Sequence, residues 1–377
     1  MQTIGIDLGT TNTVAASNGK VLALPLSGEP GSVLPSVVAH LPSGETQVGH
    51  AARRRYGIDP KNTLCSAKRV IGETLQSAAA RDFAAHYPFD LAPTADGLVG
   101  FRTRAGIFSP GDVATLVLRG LCRQAAIEPA SFSAVVTVPA AFGPARRQAT
   151  LRAVTAAGFA GARCVAEPIA TAIAYLDRTR ARYAAVYDLG GGTFDLAIVD
   201  CSEELLRVVA HDGDVYLGGD DIDRAIARWA ADHVLRERGW DLRSDPEVFA
   251  RLTLEAERAK IRLSETGATL LNLEGVDAAA PALPPLELDR LKLWQVSAAL
   301  IKRTFVVCDD VLARASLTVR DLDAVFLAGG ATLLPGVRDA VGEYFGHKLR
   351  HDLDPLHAVS IGASLAAARP RLSSLLA

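Results

Sequence analysis

The amino-acid sequence predicts an α/β protein built from two related lobes, and two observations support this prediction. The first is an internal repeat, because residues 3–17 and residues 184–200 each read as an apolar strand, an Asp-Leu-Gly turn with hydroxyl residues and a second apolar strand. This pattern is typical of a β-hairpin. The aspartates of the two turns, Asp7 and Asp188, lie 181 residues apart, about half of the 377-residue chain, so each lobe is expected to begin with the same hairpin.

The second observation is that predicted strands alternate with predicted helices, as they do in sheets covered by helices. In the first half, a β-branched strand over residues 133–138 ends at Pro139, and helices are predicted over 146–157 and 168–176. In the second half, the spacing of apolar residues predicts three helices, one strand and one Pro/Ala-rich loop. These elements are the helices 221–238, 252–265 and 294–315, the strand 324–327 and the loop 278–285.

The composition is that of a water-soluble globular protein of two or three domains. The formal net charge is −2, and no apolar run is long enough to cross a bilayer. The one basic cluster, residues 53–55, is predicted to be a solvated helix face. The five cysteines are scattered singly, as expected of reduced side chains in the cytoplasm. Because no longer basic run is present, we expect no nucleic-acid partner and no membrane partner. The first strand begins at residue 2, so we expect no cleaved leader.

The turns of the two hairpins carry the residues that a nucleotide phosphate requires. Glycine allows backbone N–H groups to approach an anion closely, and hydroxyl side chains can donate further hydrogen bonds. Carboxylates with bound water are the ligands that Mg²⁺ prefers. Two such turns facing each other predict a phosphate clamp. Its predicted members are Gly9, Thr10, Thr11, Asn12, Gly190, Gly191, Gly192 and Thr193, with the acids Asp7, Asp188 and Asp195.

Several motifs resemble those of the heat shock protein 70 (DnaK) family. Residues 6–12 (IDLGTTN) and 188–195 (DLGGGTFD) are similar to the two phosphate motifs of the family. Further similar segments follow in the same order and spacing. They are residues 60–63 (PKNT), 67–72 (AKRVIG), 136–140 (VTVPA), 165–168 (VAEP), 217–223 (LGGDDID) and 257–260 (ERAK). The resemblance covers residues 2 to about 368.

The resemblance implies the actin-like ATPase fold, with ATP or ADP bound between the lobes. Lys68 is then expected to neutralise charge on the γ-phosphate, and Glu167 to orient or deprotonate the attacking water. Thr193 would hydrogen-bond the γ-phosphate, and Asp188 would act beside it. Asp7 and Asp188 would hold Mg²⁺ through water molecules, and Asp195 would help to bind K⁺.

For the adenosine moiety, the resemblance implies contacts from one helix face and from glycine-rich segments. Glu257, Lys260 and Ser264 are spaced so that they share a helix face. The glycine pairs Gly218–Gly219 and Gly329–Gly330 would pass close to the nucleotide. Some members of the family stack arginines on the adenine, whereas this chain has Ile261 and Leu333 at the matching positions. The aliphatic Leu333 removes a cation–π contact with the base.

The domain organisation implied by the resemblance has four parts and a tail. Lobe I is expected over residues 1–177 with a peripheral subdomain over about 35–107, and lobe II over 178–371 with a peripheral subdomain over about 218–298. Residues 372–377 resemble the start of the family's linker. Because no peptide-binding domain follows, we expect an ATPase module that uses a protein partner or co-chaperone in trans.

Two other functional classes remain open at this point. An actin-like filament protein of the MreB type would share the two hairpins, although residues 193–195 and 136–140 favour the DnaK family. A small-molecule kinase would need a catalytic aspartate in a substrate pocket of the first lobe, and the sequence offers no candidate.

Overall fold

The structure of the chain is a computed structural model that describes residues 2–25, 31–176, 181–202, 206–350 and 352–368. The helices in these ranges are α1 His50–Arg55, α2 Ala78–His86, α3 Pro110–Ala125, α4 Pro144–Ala156, α5 Glu167–Leu176, α6 Gly219–Arg238, α7 Pro246–Glu265, α8 Arg290–Ala315, α9 Pro335–Tyr344 and α10 Ala358–Ala368. The strands are β1 Gln2–Leu8, β2 Asn12–Ser17, β3 Lys20–Val21, β4 Val33–Pro35, β5 Val38–His40, β6 Thr46–Val48, β7 Thr63–Leu64, β8 Asp90–Pro93, β9 Val99–Thr103, β10 Gly106–Phe108, β11 Phe132–Val138, β12 Gly161–Ala166, β13 Tyr183–Leu189, β14 Phe194–Asp200, β15 Arg207–Asp214, β16 Ala268–Leu271, β17 Leu286–Asp289 and β18 Ala324–Ala328.

Two large sheets have the same central arrangement. The first sheet has the order β12-β11-β1-β2-β3, with β4 also paired to β2, and the second has the order β15-β14-β13-β18. In the first sheet, β1 forms a hairpin with β2 and pairs in parallel with β11. In the second sheet, β13 forms a hairpin with β14 and pairs in parallel with β18. The predicted repeat of two hairpins is therefore confirmed. We call β1–β2 the first hairpin and β13–β14 the second hairpin.

The predicted helices and strands are confirmed, with boundary shifts that have local causes. The largest shift is in α7, which begins at Pro246 and not at residue 252. The side chain of Asp245 accepts a hydrogen bond from the backbone N–H of Glu247, and Pro246 occupies the first helical position. Both features favour a helix start. The predicted loop over residues 278–285 contains no helix or strand.

Smaller sheets and helices occupy the two segments that were predicted as peripheral subdomains. Between residues 35 and 107 lie the sheets β6-β5-β7 and β10-β9-β8, and between 218 and 298 lie α6, α7 and the pair β16-β17. The proposed boundaries stay predictions, and the predicted tail over residues 372–377 lies outside the described residues. Among the helices that the structure describes, each is too short or too polar to span a lipid bilayer.

The last helix packs against the first sheet, although the predicted division assigns residues 178–371 to lobe II. A Cβ atom on Gly5 of β1 would lie 2.1 Å from the backbone nitrogen of Ser364 in α10. The backbone N–H of Gly19 also donates to Ser364 Oγ. By its contacts α10 belongs with the first sheet, so the chain returns to the first half of the fold after it completes the second.

Helices α5 and α10 cross between the two large sheets with almost no space between their backbones. A Cβ atom on Gly362 would lie 1.7 Å from the carbonyl oxygen of Ala170. On the other side of α5, the Tyr175 ring stacks on Phe326 of β18 at a centroid distance of 4.6 Å. The crossing therefore connects the two halves of the molecule through a contact that only glycine permits.

We predict that Gly362→Ala destabilises the protein, because the methyl group has no space unless α5 and α10 move apart. Overpacking of this kind costs about 1–3 kcal/mol, which should lower the midpoint of urea unfolding. Gly267→Ala is the matched control, because a Cβ atom there meets nothing within 4 Å. An unchanged midpoint for Gly362→Ala would contradict the role given to this crossing.

Candidate functional site

The turns of the two hairpins face each other and are in direct contact. A Cβ atom on Gly191 would lie 2.4 Å from Thr11 Oγ1, and one on Gly192 would lie 3.1 Å from Thr10 Cγ2. Within the first turn, a Cβ atom on Gly9 would lie 2.3 Å from the carbonyl oxygen of Asn12. The structure thus brings the predicted clamp residues together and explains why glycine occupies these positions.

Four carboxylates and one ammonium group meet at the ends of the hairpins. Asp188 and Asp195 are directly opposite each other in the second hairpin, and both line a small cavity together with Glu167. The ammonium group of Lys68 donates to Glu167 Oε1 at 2.7 Å, with side-chain exposures of only 9% for Lys68 and 13% for Glu167. Asp7, at the end of β1, accepts a hydrogen bond from the hydroxyl group of Thr137 on β11.

Burial and mutual repulsion raise the pKa values of the three aspartates, which makes them weaker acids than an exposed aspartate. Burial, followed by the charge of Glu167, raises the pKa of Asp7 to about 6 and that of Asp195 to about 7. The same two causes, together with Asp195, raise the pKa of Asp188 well above its usual value. Lys68 opposes these shifts but is a single positive charge. The cluster therefore has an excess of negative charge that a bound cation would neutralise.

The chemistry of this donor set fits a hydrated Mg²⁺ ion. Among the described residues, no three His, Cys, Asp or Glu side chains are arranged to bind a metal ion directly. Mg²⁺ commonly keeps several water ligands and is held by one or two carboxylates together with substrate phosphates. Asp7 and Asp188 would therefore act on the ion largely through its water shell.

Further glycine segments converge on the second hairpin. The backbone N–H of Gly219 donates to the carbonyl oxygen of Gly190 at 3.0 Å, and a Cβ atom on Gly218 would lie 2.5 Å from the Gly191 oxygen. Gly329, with φ +81°, lies so close to the strand end that a Cβ atom would be 2.6 Å from Asp188 Oδ1. Gly330 and Leu333 bound the short 3-10 turn that follows, where Leu333 is half-buried.

The predicted adenosine face on α7 has protein partners of its own. Lys260 Nζ donates to Asp223 Oδ2 at 2.8 Å and to the carbonyl oxygen of Gly219 at 3.0 Å. Ser264 Oγ donates to the carbonyl oxygen of Lys260 within the same helix. Lys260 therefore joins α7 to α6, and its ammonium group is already satisfied by protein oxygens in this arrangement.

The prediction that residues 53–55 form a solvated helix face is wrong for Arg53. Its guanidinium group reaches from α1 to Glu257 of α7, with Nη2 2.5 Å from Oε2. Burial opposes ionisation of Glu257, but the Arg53 charge holds the pKa of this carboxyl below its usual value. The ion pair closes the cleft between the two peripheral segments, and it occupies a carboxylate that was predicted to contact the adenosine moiety.

A cavity of about 530 Å³ lies beneath this ion pair. Its walls come from both peripheral segments, including Tyr56 and Cys65 on one side and Phe249 on the other. Of the predicted nucleotide contacts, Thr11 and Glu257 line this cavity, whereas Lys260, Ser264, Gly329, Gly330 and Leu333 do not. Its volume is within the range of small-molecule sites.

Sequence reasoning missed several residues of this region. Arg53 was assigned to solvent, and no role was given to Arg69, to Thr137 or to Asp220, a buried carboxyl group near the charges of Arg53 and Arg69. A hydroxyl residue inside the otherwise apolar strand β11 was the available signal for Thr137. Arg69 directly follows Lys68, and Asp220 lies within residues 217–223, so both were inside quoted motifs.

Comparison with known proteins identifies the family to which the chain belongs. The family model described as Hsp70 protein matches residues 3–370. The proteins named Chaperone protein DnaK from two strains of Thermus thermophilus are 37% and 36% identical to this chain over 373 residues. Each match covers 97% of this chain and 60% of the relative, so the chain spans about 60% of the length of these curated relatives. Because both the family model and these relatives cover nearly the whole chain, it belongs to the Hsp70 family and has the actin-like ATPase fold of that family.

Proposed function

We propose that this chain binds ATP between its two hairpins and hydrolyses it slowly to ADP and phosphate. The observation that carries the proposal is the buried Lys68–Glu167 ion pair, which lies among three aspartates at the meeting point of two glycine-rich turns. Such an arrangement provides backbone N–H groups for phosphates, a cation beside the reacting group and a carboxylate beside the water.

In the proposed reaction, a water oxygen attacks the γ-phosphorus and the bond from that phosphorus to the bridging oxygen of ADP breaks. Glu167 orients the water and accepts its proton, while Lys68 holds Glu167 in place and neutralises charge on the phosphoryl oxygens. The hydroxyl group of Thr193 donates to the same phosphoryl group. The products are ADP, inorganic phosphate and one proton, which leaves through Glu167.

Bound Mg²⁺ would neutralise charge on the β- and γ-phosphates. Asp7 and Asp188 would orient its water ligands, and Asp195 would contribute to a neighbouring K⁺ site. The raised pKa values of Asp7 and Asp195 support this assignment, because a nearby cation would favour the ionised form of these buried carboxyl groups.

We further propose a chaperone-type role in the cytoplasm, with a protein partner that responds to the nucleotide state. The DnaK relatives are named as chaperones, and this chain matches 60% of their length. A filament protein and a small-molecule kinase remain weaker alternatives. Nucleotide-dependent pelleting would identify the former, and substrate-stimulated ATP hydrolysis would identify the latter.

We predict that Lys68→Ala lowers single-turnover hydrolysis of ATP at least ~10²-fold, the typical effect of losing one preorganised charge-stabilising group. Nucleotide affinity should change much less. Rapid-quench measurement with radiolabelled ATP tests this prediction. Lys61→Ala is the control, because Lys61 is an exposed neighbour with a side-chain exposure of 64% and should keep the parent rate. A parent-like rate in Lys68→Ala would show that Lys68 has another role.

Hydrolysis should be faster in KCl than in NaCl at equal ionic strength, because the proposed site at Asp195 selects an ion with the coordination preferences of K⁺. Steady-state phosphate release in both salts, with choline chloride as the reference for ionic strength, measures this selectivity. Equal rates in the three salts would argue against a K⁺ site.

Leu333→Arg should tighten ADP binding by roughly 0.5–2 kcal/mol, because an arginine can stack on the adenine where leucine offers only aliphatic contact. Isothermal titration calorimetry with MgADP gives the affinity. Leu291→Arg, at an exposed leucine (64% exposed), controls for added positive charge. If the two variants bind ADP alike, the base does not contact Leu333, and the 530 Å³ cavity becomes the better candidate for its position.

A further inference from the structure

Lys68 lies in a short turn whose backbone carbonyl groups are bound by an arginine from another element. In the 3-10 turn Ala67–Val70, the carbonyl oxygen of Lys68 accepts only a long hydrogen bond of 3.4 Å from the backbone N–H of Ile71. The last carbonyl groups of such a turn need partners from outside it. Arg146 of α4 is this partner, because its Nη2 donates to the carbonyl oxygen of Arg69 at 2.8 Å and to that of Lys68 at 3.2 Å.

The guanidinium group of Arg146 is itself held from two sides. Its central carbon lies 4.0 Å from the centroid of the Phe142 ring, as expected of a cation stacked on an aromatic face. Its Nε lies 3.9 Å from Glu73 Oε1, and both of these side chains are largely buried. Phe142 is buried, and its carbonyl oxygen accepts a hydrogen bond from Arg147 Nε at 2.7 Å. Arg146 therefore has a defined position between the aromatic ring and the turn.

The backbones of α4 and of the chain after the turn are also in contact. Gly72, with φ +72°, has so little space that a Cβ atom there would lie 3.3 Å from Cα of Arg146. The start of α4 thus packs against the chain at the place where Arg146 reaches the turn. The Phe142 ring also has Lys68 Nζ at 5.9 Å from its centroid, so this ring is near both the arginine that binds the turn and the lysine that the turn carries.

The position of the Lys68 ammonium group depends on the backbone of this turn. A lysine carries its charge on a flexible stem of four carbons, so the 2.7 Å hydrogen bond to Glu167 requires a well-placed Cα atom at Lys68. Among the described residues, Arg146 has no hydrogen bond or ion pair with Glu167. Any effect of Arg146 on the proposed reaction must therefore pass through the turn.

We propose that Arg146 is a positioning residue for Lys68, which binds the carbonyl oxygens of the turn and thereby keeps the Lys68 ammonium group at Glu167. This inference rests on the proposed ATPase function and adds to it a residue that lies outside the glycine-rich turns. A guanidinium charge suits this position, because it stabilises the negative ends of the carbonyl dipoles at the end of a helical turn. Helix α4 thus contributes to the reaction through Lys68.

The first experiment measures the accessibility of Lys68 without any turnover. The full chain, free of nucleotide, is dimethylated with formaldehyde and a borane reductant, and peptide mass spectrometry gives the labelling rate of each lysine. We expect Arg146→Gln to raise the labelling rate of Lys68 at least ~10-fold, the scale of losing a hydrogen bond from a charged donor. Lys260 is the internal reference and should keep its rate, because it is also buried and is held by Asp223 and by the Gly219 carbonyl group.

Arg152→Gln is the matched control, because Arg152 is an exposed arginine on the same helix and its loss should change neither labelling rate. A parent-like rate at Lys68 in Arg146→Gln would overturn the proposal. An equal rise at Lys68 and Lys260 would also overturn it, since this result would show a general loosening of the fold. If Arg146→Gln shows no cooperative urea unfolding, Arg146→Met replaces it with the same deciding outcomes, because methionine keeps an apolar contact with Phe142 and has no donor.

The second experiment determines whether the position of Lys68 matters for the reaction. We expect Arg146→Gln to lower single-turnover hydrolysis of ATP about 10- to 100-fold, because a misplacement of about 1 Å can cost ~10²-fold in rate. Calorimetry with MgADP should give the parent affinity. An unchanged hydrolysis rate in a variant with faster Lys68 labelling would overturn the role of Arg146 in the reaction. Absence of hydrolysis in the parent protein would refute the proposed ATPase function, whereas the labelling experiment would still judge Arg146 separately.

Discussion

The excess of negative charge at the hairpin ends is the constraint on which the rest of this structure depends. Asp7, Asp188, Asp195 and Glu167 surround the single ammonium group of Lys68, and burial strengthens their repulsion because water does not screen it. Such a cluster costs folding free energy unless a cation and phosphate groups complete it. Binding of the proposed metal nucleotide would relieve this repulsion, and the rest of the fold must offset its electrostatic cost.

Close packing on both sides of the site supplies that stability. Each aspartate lies within a paired strand next to a hairpin turn, Asp7 in β1, Asp188 in β13 and Asp195 in β14, so strand pairing fixes its backbone. Behind the strands, α5 and α10 cross with their backbones in contact at Gly362 and Ala170. Glu167, the first residue of α5, is thus positioned by the same helix that joins the two sheets. The carboxylate proposed to act on the water and the connection between the halves are therefore parts of one helix.

Contacts across the cleft are mostly polar, which distinguishes them from the apolar packing within each half. Arg53 binds Glu257, and Arg69 binds the Gly192 carbonyl. Polar contacts of this kind exchange with water at a modest net cost, whereas separating an apolar interface would expose surface at a cost proportional to its area. The peripheral segments on the two sides of the cleft could therefore separate without disrupting the apolar packing at α5 and α10, and the proposed nucleotide would enter and leave through such an opening.

Local sequence patterns determined much of the fold, because they depend on neighbouring residues. Alternating apolar residues around an Asp-Leu-Gly turn specify a hairpin wherever they occur, so the repeat and the positions of Asp7 and Asp188 could be predicted. Helix α7 begins at Pro246, before the residue that the apolar pattern predicts, because the side chain of Asp245 caps the helix with a local hydrogen bond. The candidate site residues were predicted from the same turns and from the resemblance of the motifs to those of the Hsp70 family.

Only the tertiary structure decided which distant residues meet. Arg53 looked like a solvent-exposed arginine because its partner, Glu257, is 204 residues away and no local pattern connects them. The placement of α10 on the first sheet is similar, since it depends on Gly5 and Ser364 at opposite ends of the chain. Sequence specifies local conformation through backbone and side-chain preferences, whereas ion pairing and burial of charge depend on three-dimensional proximity, which the completed fold determines.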